Sequence, residues 1–253
     1  MKKYLILLLL LASCENVMPP VEDALELPAL TDTDQILQYQ GFTVSYNSEN
    51  LIPNWVAYEL TAEETVGDAD REDKRFSMDM SFKGHQAMRE DYAESGWTKG
   101  HMAPAADFLW SDDAMAETFY LVNVCPQDEF LNRKDWQYLE KQVRAWANEY
   151  GRVWVVTGPI VGEDRYGTIG AQEVVVPDAF FKVVLVHDGS RYQGVAFVMG
   201  NDNSRYWLDQ VAMPVDELEK LTGIDFYPAL PDDMEDVVEA GYDPAVWSLR
   251  TDR

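Results

Sequence analysis

Cysteine, histidine and positive charge are all scarce in this 253-residue chain, and each shortage closes off a class of function. There are two cysteines, Cys14 and Cys125, and the first falls in an N-terminal leader. A domain with one remaining thiol can form neither an internal disulfide nor a Cys-type zinc site, and Cys125 reads as a small buried apolar residue. Twenty Lys and Arg face forty-five Asp and Glu, a net charge of -25. That is the wrong sign for holding nucleic acid by the bulk field, so any phosphate binding needs a local basic patch and a cation. Three histidines narrow the candidates for proton transfer. His187 precedes Asp188-Gly189 at a strand end and reads as a turn residue, while His85, in FKGHQ, reads as surface. His101 keeps different company, in Lys99-Gly100-His101-Met102-Ala103-Pro104. There is no internal repeat and no low-complexity segment.

What is present begins with MKKYLILLLLLASC. Lys2 and Lys3 precede an apolar run, Tyr4 to Ala12, that is too short to span a bilayer and has the layout of an export signal. Leu11-Ala12-Ser13-Cys14 resembles a bacterial lipobox, which predicts an exported lipoprotein anchored through lipidated Cys14 on the periplasmic face or the cell surface. Residues 15–35 mix prolines with acids and read as a tether, leaving 36–253 as the folded domain.

Within that domain, alternation predicts strands at Phe42–Tyr46 and Trp55–Leu60, a short one at Tyr120–Val124 and a buried one at Val153–Val156. Others follow at Glu173–Val176, Phe180–Val186 and Gly194–Met199. Trp136, Leu139, Val143, Trp146 and Tyr150 recur at helical steps, and Gly151 stops the run. PVDELEKLTG reads as a capped helix near the end. Strands and helices mix without a βαβ rhythm, so the fold class is α+β with a mainly antiparallel sheet and packed helices.

Asn132 and Glu140 lie eight residues apart at the start of the predicted helix. On ideal geometry that is about 12 Å along the axis and about 80° around it, too far for both to be inner ligands of one ion. A cation that used both would bind one directly and the other through water, which suits magnesium. The plain alternatives are that Asn132 caps the helix and that Glu140 pairs with Arg144 at i+4. Arg133, Lys134, Lys141, Arg144 and Arg152 cluster on or beside this helix.

Thr98-Lys99-Gly100-His101 followed by Pro104, then Asn123, Pro126-Gln127, Asn132, Trp136 and Leu139-Glu140, resembles the DNA/RNA non-specific endonuclease family. That family belongs to the His-Me finger, or ββα-metal, superfamily and includes the sugar-non-specific nucleases and the endonuclease G type. The likeness extends over roughly residues 38–247. It implies a metal-dependent endonuclease acting on DNA and RNA through their phosphate backbone, with magnesium, or manganese in its place. It further implies His101 as general base, Asn132 as the one protein ligand of the ion, and Glu140 orienting water on it. Asn123 becomes a supporting residue, and an upstream arginine, Arg75 with Arg71 as alternative, stabilises the phosphate together with Lys99. The family's Asp-Arg stands here as Thr98-Lys99, and lysine keeps the charge but lacks the bidentate fork. Two other readings remain: a weakened, lipid-anchored nucleic-acid-binding or interaction protein, and a phosphodiesterase on a narrower substrate.

Overall fold

A computed structural model describes residues 24–162 and 165–249. The expected export signal and Cys14 lie outside the described residues. Within the expected tether, Leu25 is fully buried and the Ala29 N–H donates to the Asp225 carbonyl at 2.9 Å, while residues 30–33 are exposed.

Seven strands form the main sheet, with β1 at Gln35–Gln38, β2 at Thr43–Asn47, β3 at Ile52–Thr61 and β6 at Arg152–Ile160. The others are β9 at Ala179–His187, β10 at Tyr192–Gly200 and β11 at Ala212–Met213. Their spatial order is β1-β2-β3-β6-β9-β10-β11, and every neighbouring pair is antiparallel. Two small sheets lie outside it, β4 (Thr98–His101) with β5 (Val124–Gln127), and β7 (Thr168–Ile169) with β8 (Val174–Val175).

Alternation along the strands sorts side chains to two apolar layers. Val56, Tyr58, Val153, Val155, Phe180, Val184 and Phe197 point to one face, where Trp136, Leu139, Val143 and Trp146 pack. These last four come from one long helical run: α2 (Glu129–Leu131), a π-wound turn (Asn132–Trp136) and α3 (Gln137–Tyr150). Trp55, Ala57, Trp154, Phe181, Val183 and Ala196 point to the other face. There they meet α5 (Val215–Thr222), α6 (Asp232–Glu239) and the segment between them. Two short helices, α1 (Asp112–Glu117) and α4 (Leu208–Val211), complete the chain. No helix among the described residues is long and apolar enough to cross a membrane.

The expected strand at Tyr120–Val124 moves downstream: Leu121–Asn123 is a 3-10 turn and the strand is β5. Leu121 and Val122 are buried without alternating, so the apolar run fixed burial but not the strand's position. Cys125 is buried and free.

Candidate active site

The β4–β5 hairpin and the helical run that follows it form a ββα unit on one face of the main sheet. β4 pairs with β5 in the register Thr98↔Gln127 to His101↔Val124. Gly100 permits the close approach: a Cβ there would lie 2.1 Å from Gln127 Oε1. His101 ends the strand, and the loop after it is fixed by fully buried Asn123, whose side chain accepts from Ala103 N–H at 2.9 Å. Its Nδ2 donates to the Ala103 and Thr118 carbonyls, both at 2.9 Å. Asn123 thus touches the backbone beside the histidine and not the cleft.

The imidazole sits between Phe76 and Phe119, with ring centroids 5.0 and 5.1 Å away. Its Nε2 is buried without a protein partner. Burial first, and then the charge of Arg71, hold it down to about 3, so at neutral pH the ring is a free base.

Asn132 does not cap the helix. Asp128 does, accepting from Phe130 N–H at 2.8 Å and Leu131 N–H at 3.0 Å. Asn201, itself buried, accepts from Asp128 N–H at 2.8 Å and donates to the Pro126 carbonyl at 3.1 Å, pinning hairpin end to helix start. Asn132 lies in the π-wound turn, and its Nδ2 donates to Thr98 Oγ1 at 2.9 Å. The Thr98 hydroxyl in turn donates to the Gln127 carbonyl at 2.8 Å. With Nδ2 so engaged, Oδ1 is the Asn132 atom left to meet a ligand.

Glu140 lines the cleft from the first turn of α3. Arg144 pairs instead with Asp107, at 2.5 Å, and Asp107 also accepts from Tyr58 Oη at 2.8 Å. The expected i+4 bridge between Glu140 and Arg144 is therefore replaced by a tertiary one, because buried Asp107 offers a carboxylate already oriented by Tyr58. Beneath the helix, on β9, Lys182 is fully buried; it donates to Thr157 Oγ1 at 2.5 Å and lies 5.2 Å from the Trp136 ring centroid. Burial and Asp107 raise the Glu140 carboxyl against the pull of Lys182, and burial lowers Lys182.

His101, Asn132, Glu140, Thr98 and Lys99 line one cleft of about 1310 Å³. Nine basic residues line it as well, Arg71, Lys74, Arg75, Arg89, Lys99, Arg133, Lys134, Lys141 and Arg144, against two acids, Glu72 and Glu140. Nine of the chain's twenty basic residues thus gather in one concavity of a molecule carrying -25. Arg152 stands apart, 3.5 Å from Glu59 and against Trp154. Of the two candidate arginines, Arg75 turns its guanidinium to the Glu72 and Lys74 carbonyls at 2.6 and 2.8 Å. Arg71 lies over Phe119, 5.9 Å from the ring that flanks His101, and its charge acts on both His101 and Glu140. Lys99 lies 4.8 Å from the Tyr92 ring centroid, and burial, then Arg89, lower it.

The DNA/RNA non-specific endonuclease family profile matches residues 23–233. The chain belongs to that family. It is 38% identical over 235 residues to the mitochondrial nuclease EXOG of Xenopus laevis, covering 86% of this chain and 65% of that protein. It is 34% identical over 215 residues to human mitochondrial endonuclease G, covering 80% and 71%. A crystal structure of EndoG with EndoGI superposes with a TM-score of 0.74 at 30% identity, covering 82% of this chain and 90% of that one. The chain spans just under two thirds of the length of the Xenopus relative. Asp107, Arg89 and Asn201 were not among the residues that the sequence singled out. Asp107 and Asn201 work through tertiary partners, Arg89 lines the cleft from another segment, and no local pattern marks any of them.

Proposed function

We propose that the chain is a metal-dependent endonuclease that hydrolyses DNA and RNA without reading base sequence. One observation carries this: His101, Asn132 and Glu140 open into a single cleft whose rim is basic although the molecule is acidic. Contacts from such a rim fall on phosphates, which carry no sequence information. Nothing in the arrangement requires a 2′-hydroxyl.

The site's ligands fit a hard divalent cation. Asn132 presents its amide oxygen because Thr98 takes the amide N–H, and Glu140 adds a carboxylate lining the same cleft. An all-oxygen set with few protein donors suits magnesium, or manganese in its place. Asn132 would hold the ion and Glu140 would accept hydrogen bonds from its water. When bound, the cation supplies Lewis-acid polarisation of the phosphate and charge neutralisation. The protein's own groups do the rest. Neutral His101, which lines the cleft, removes the proton of the attacking water. Arg71, rather than Arg75, and Lys99 stabilise the charge that grows on the phosphate. Asn123 keeps the backbone at 102–103 in place so that the ring faces the cleft. The leader and Cys14 support export and lipid anchoring of the same enzyme, which the mass of the mature N-terminus checks.

Incubating the protein with plasmid and with RNA tests the proposal. Both should be degraded with magnesium and spared with chelator, and His101→Ala should lower the rate at least about 100-fold. Intact substrate at every metal and salt concentration would leave a binding protein, and cleavage of small phosphodiesters alone would leave the narrower enzyme.

A further inference from the structure

On the sheet face opposite the cleft, α5, α6 and the segment joining them bring five carboxylates together. Oxygens of Asp216, Glu219 and Glu239 lie within 4.8 Å of one another, and so do those of Asp225, Glu235 and Glu239. Glu239 belongs to both sets and is 7% exposed. Its Oε1 has no hydrogen-bond partner. A second buried group, independent of the acids, is left in the same condition: Tyr227 is fully buried, its hydroxyl has no partner, and the charges acting on it are those of Glu239 and Glu219.

A surface cluster of acids is ordinary, but this one is built inward. A buried carboxylate among four others is destabilising unless a positive charge meets it or it keeps its proton. Lys220 reaches only Asp216, at 3.8 Å, from the exposed side of α5. Glu219 is committed in part: one oxygen accepts from the Phe226 N–H at 2.8 Å, which orders the chain between the two helices.

We propose that this cluster is a calcium site, with Glu239 as its central ligand and Asp216, Glu219, Asp225 and Glu235 around it. Calcium takes six to eight oxygens at roughly 2.3–2.6 Å, so two ligands of one ion stand no more than about 5 Å apart. The observed 4.8 Å limit within each triad meets that condition. Carboxylates that bind in one- or two-oxygen mode and an irregular geometry suit calcium better than the octahedral demand of magnesium. The ion would clamp α5 to α6 and fix the segment carrying Phe226, Tyr227 and Leu230, which are buried against the sheet.

The test uses the full chain carrying Asn132→Ala, so that no cation is counted at the catalytic cleft. Calorimetric titration with calcium should show one site. Terbium in its place should give luminescence sensitised through Tyr227, and calcium should quench it by competition. Glu239→Gln should weaken binding at least tenfold, and the more exposed Glu235→Gln should weaken it less while leaving an unmistakably folded protein. Catalytic activity of Glu239→Gln with Asn132 intact should match the parent, which keeps this site's failure distinct from that of the nuclease reading. Two results overturn the proposal: no calcium binding in the Asn132→Ala protein, or equal binding after Glu239→Gln and Glu235→Gln. A rise in melting temperature of Glu239→Gln without calcium, and no calcium response in either protein, would show that Glu239 is simply a protonated acid.

Discussion

A hydroxyl at residue 98 decides which atom of Asn132 is left to face the cleft. The family's motif has an acid at this place, and threonine makes the contact differently: Oγ1 accepts from Asn132 Nδ2 and donates to the Gln127 carbonyl. One small side chain thereby ties strand, strand and helix together at the Asn132 end of the cleft. Thr98→Val keeps the shape and removes both bonds, leaving the amide held only by its long 3.5 Å contact with the Lys99 carbonyl. Outer partners of metal ligands are typically worth about 10- to 100-fold in affinity or activity. The magnesium concentration for half-maximal activity should therefore rise about tenfold, with kcat at saturating magnesium little changed, and Thr98→Ser should restore it. An unchanged magnesium requirement in Thr98→Val would show that the hydroxyl does not position the ligand. His101 carries a pH prediction of its own. Its folded value, about 3, lies below the ordinary 6.5, so the unfolded chain accepts a proton that the folded one refuses. The stability contributed by the neutral ring is complete above about pH 6.5 and is lost as pH falls toward 3. His101→Gln removes that liability. From about pH 7 to about pH 4.5, urea unfolding should show the parent losing about 2–3 kcal/mol more than the variant. Parallel pH profiles would mean that the ring takes up its proton while folded.

At the scale of elements, what could be read from the residues was whatever repeats locally. The helix over Gln137–Tyr150 shows in the steps from Trp136 to Trp146, and Gly151 closes it at φ +83° as the pattern requires. The long strands of the main sheet show in their alternation and apolar content. The hairpin that carries the histidine does not: Thr98-Lys99-Gly100-His101 has no alternation, and β5 contains Pro126. Those two segments are strands because they pair with each other and because Gly100 lets Gln127 pack against it. The π-wound turn was equally invisible, since its register depends on the Asp128 cap, on Asn201 and on buried Asp135, which accepts from Tyr206 N–H at 2.8 Å. Its effect on the site is direct. Arg133, Gln137, Glu140, Lys141 and Arg144 share a face at ordinary helical spacing, and the wider turn brings Asn132 onto that face too. A signal that could have been read sooner is Lys182, a lysine inside FFKVVLV on the inward-facing alternation of β9. A charge buried there needs a counter-charge across the layer, and the facing helix offers Glu140.

For the whole molecule, the charge distribution sets two opposing fields. Nine basic residues converge on the cleft, while the rest of the surface brings the total to -25. A polyanionic substrate is repelled at long range and attracted at short range, and salt screens the two unequally. The Debye length is about 30 Å at 0.01 M salt and about 10 Å at 0.1 M, so modest salt removes the distant repulsion first. Further salt then weakens the phosphate contacts, with a slope of about 0.9 per contact on a log–log plot for duplex DNA. The expected result is an optimum: kcat/KM for duplex DNA rises from about 0.01 M salt, peaks near about 0.1 M and falls beyond it. The two limbs belong to different residues. Lys134→Gln, at the exposed rim, should flatten the high-salt limb by about one contact's slope. Neutralising exposed acids on the far helices, by Glu217→Gln with Asp233→Asn, should raise the low-salt limb and leave the high-salt limb unchanged. A steady fall from the lowest salt onward would mean that the cleft's field dominates at every distance, and the acidic surface would then have no part in substrate capture.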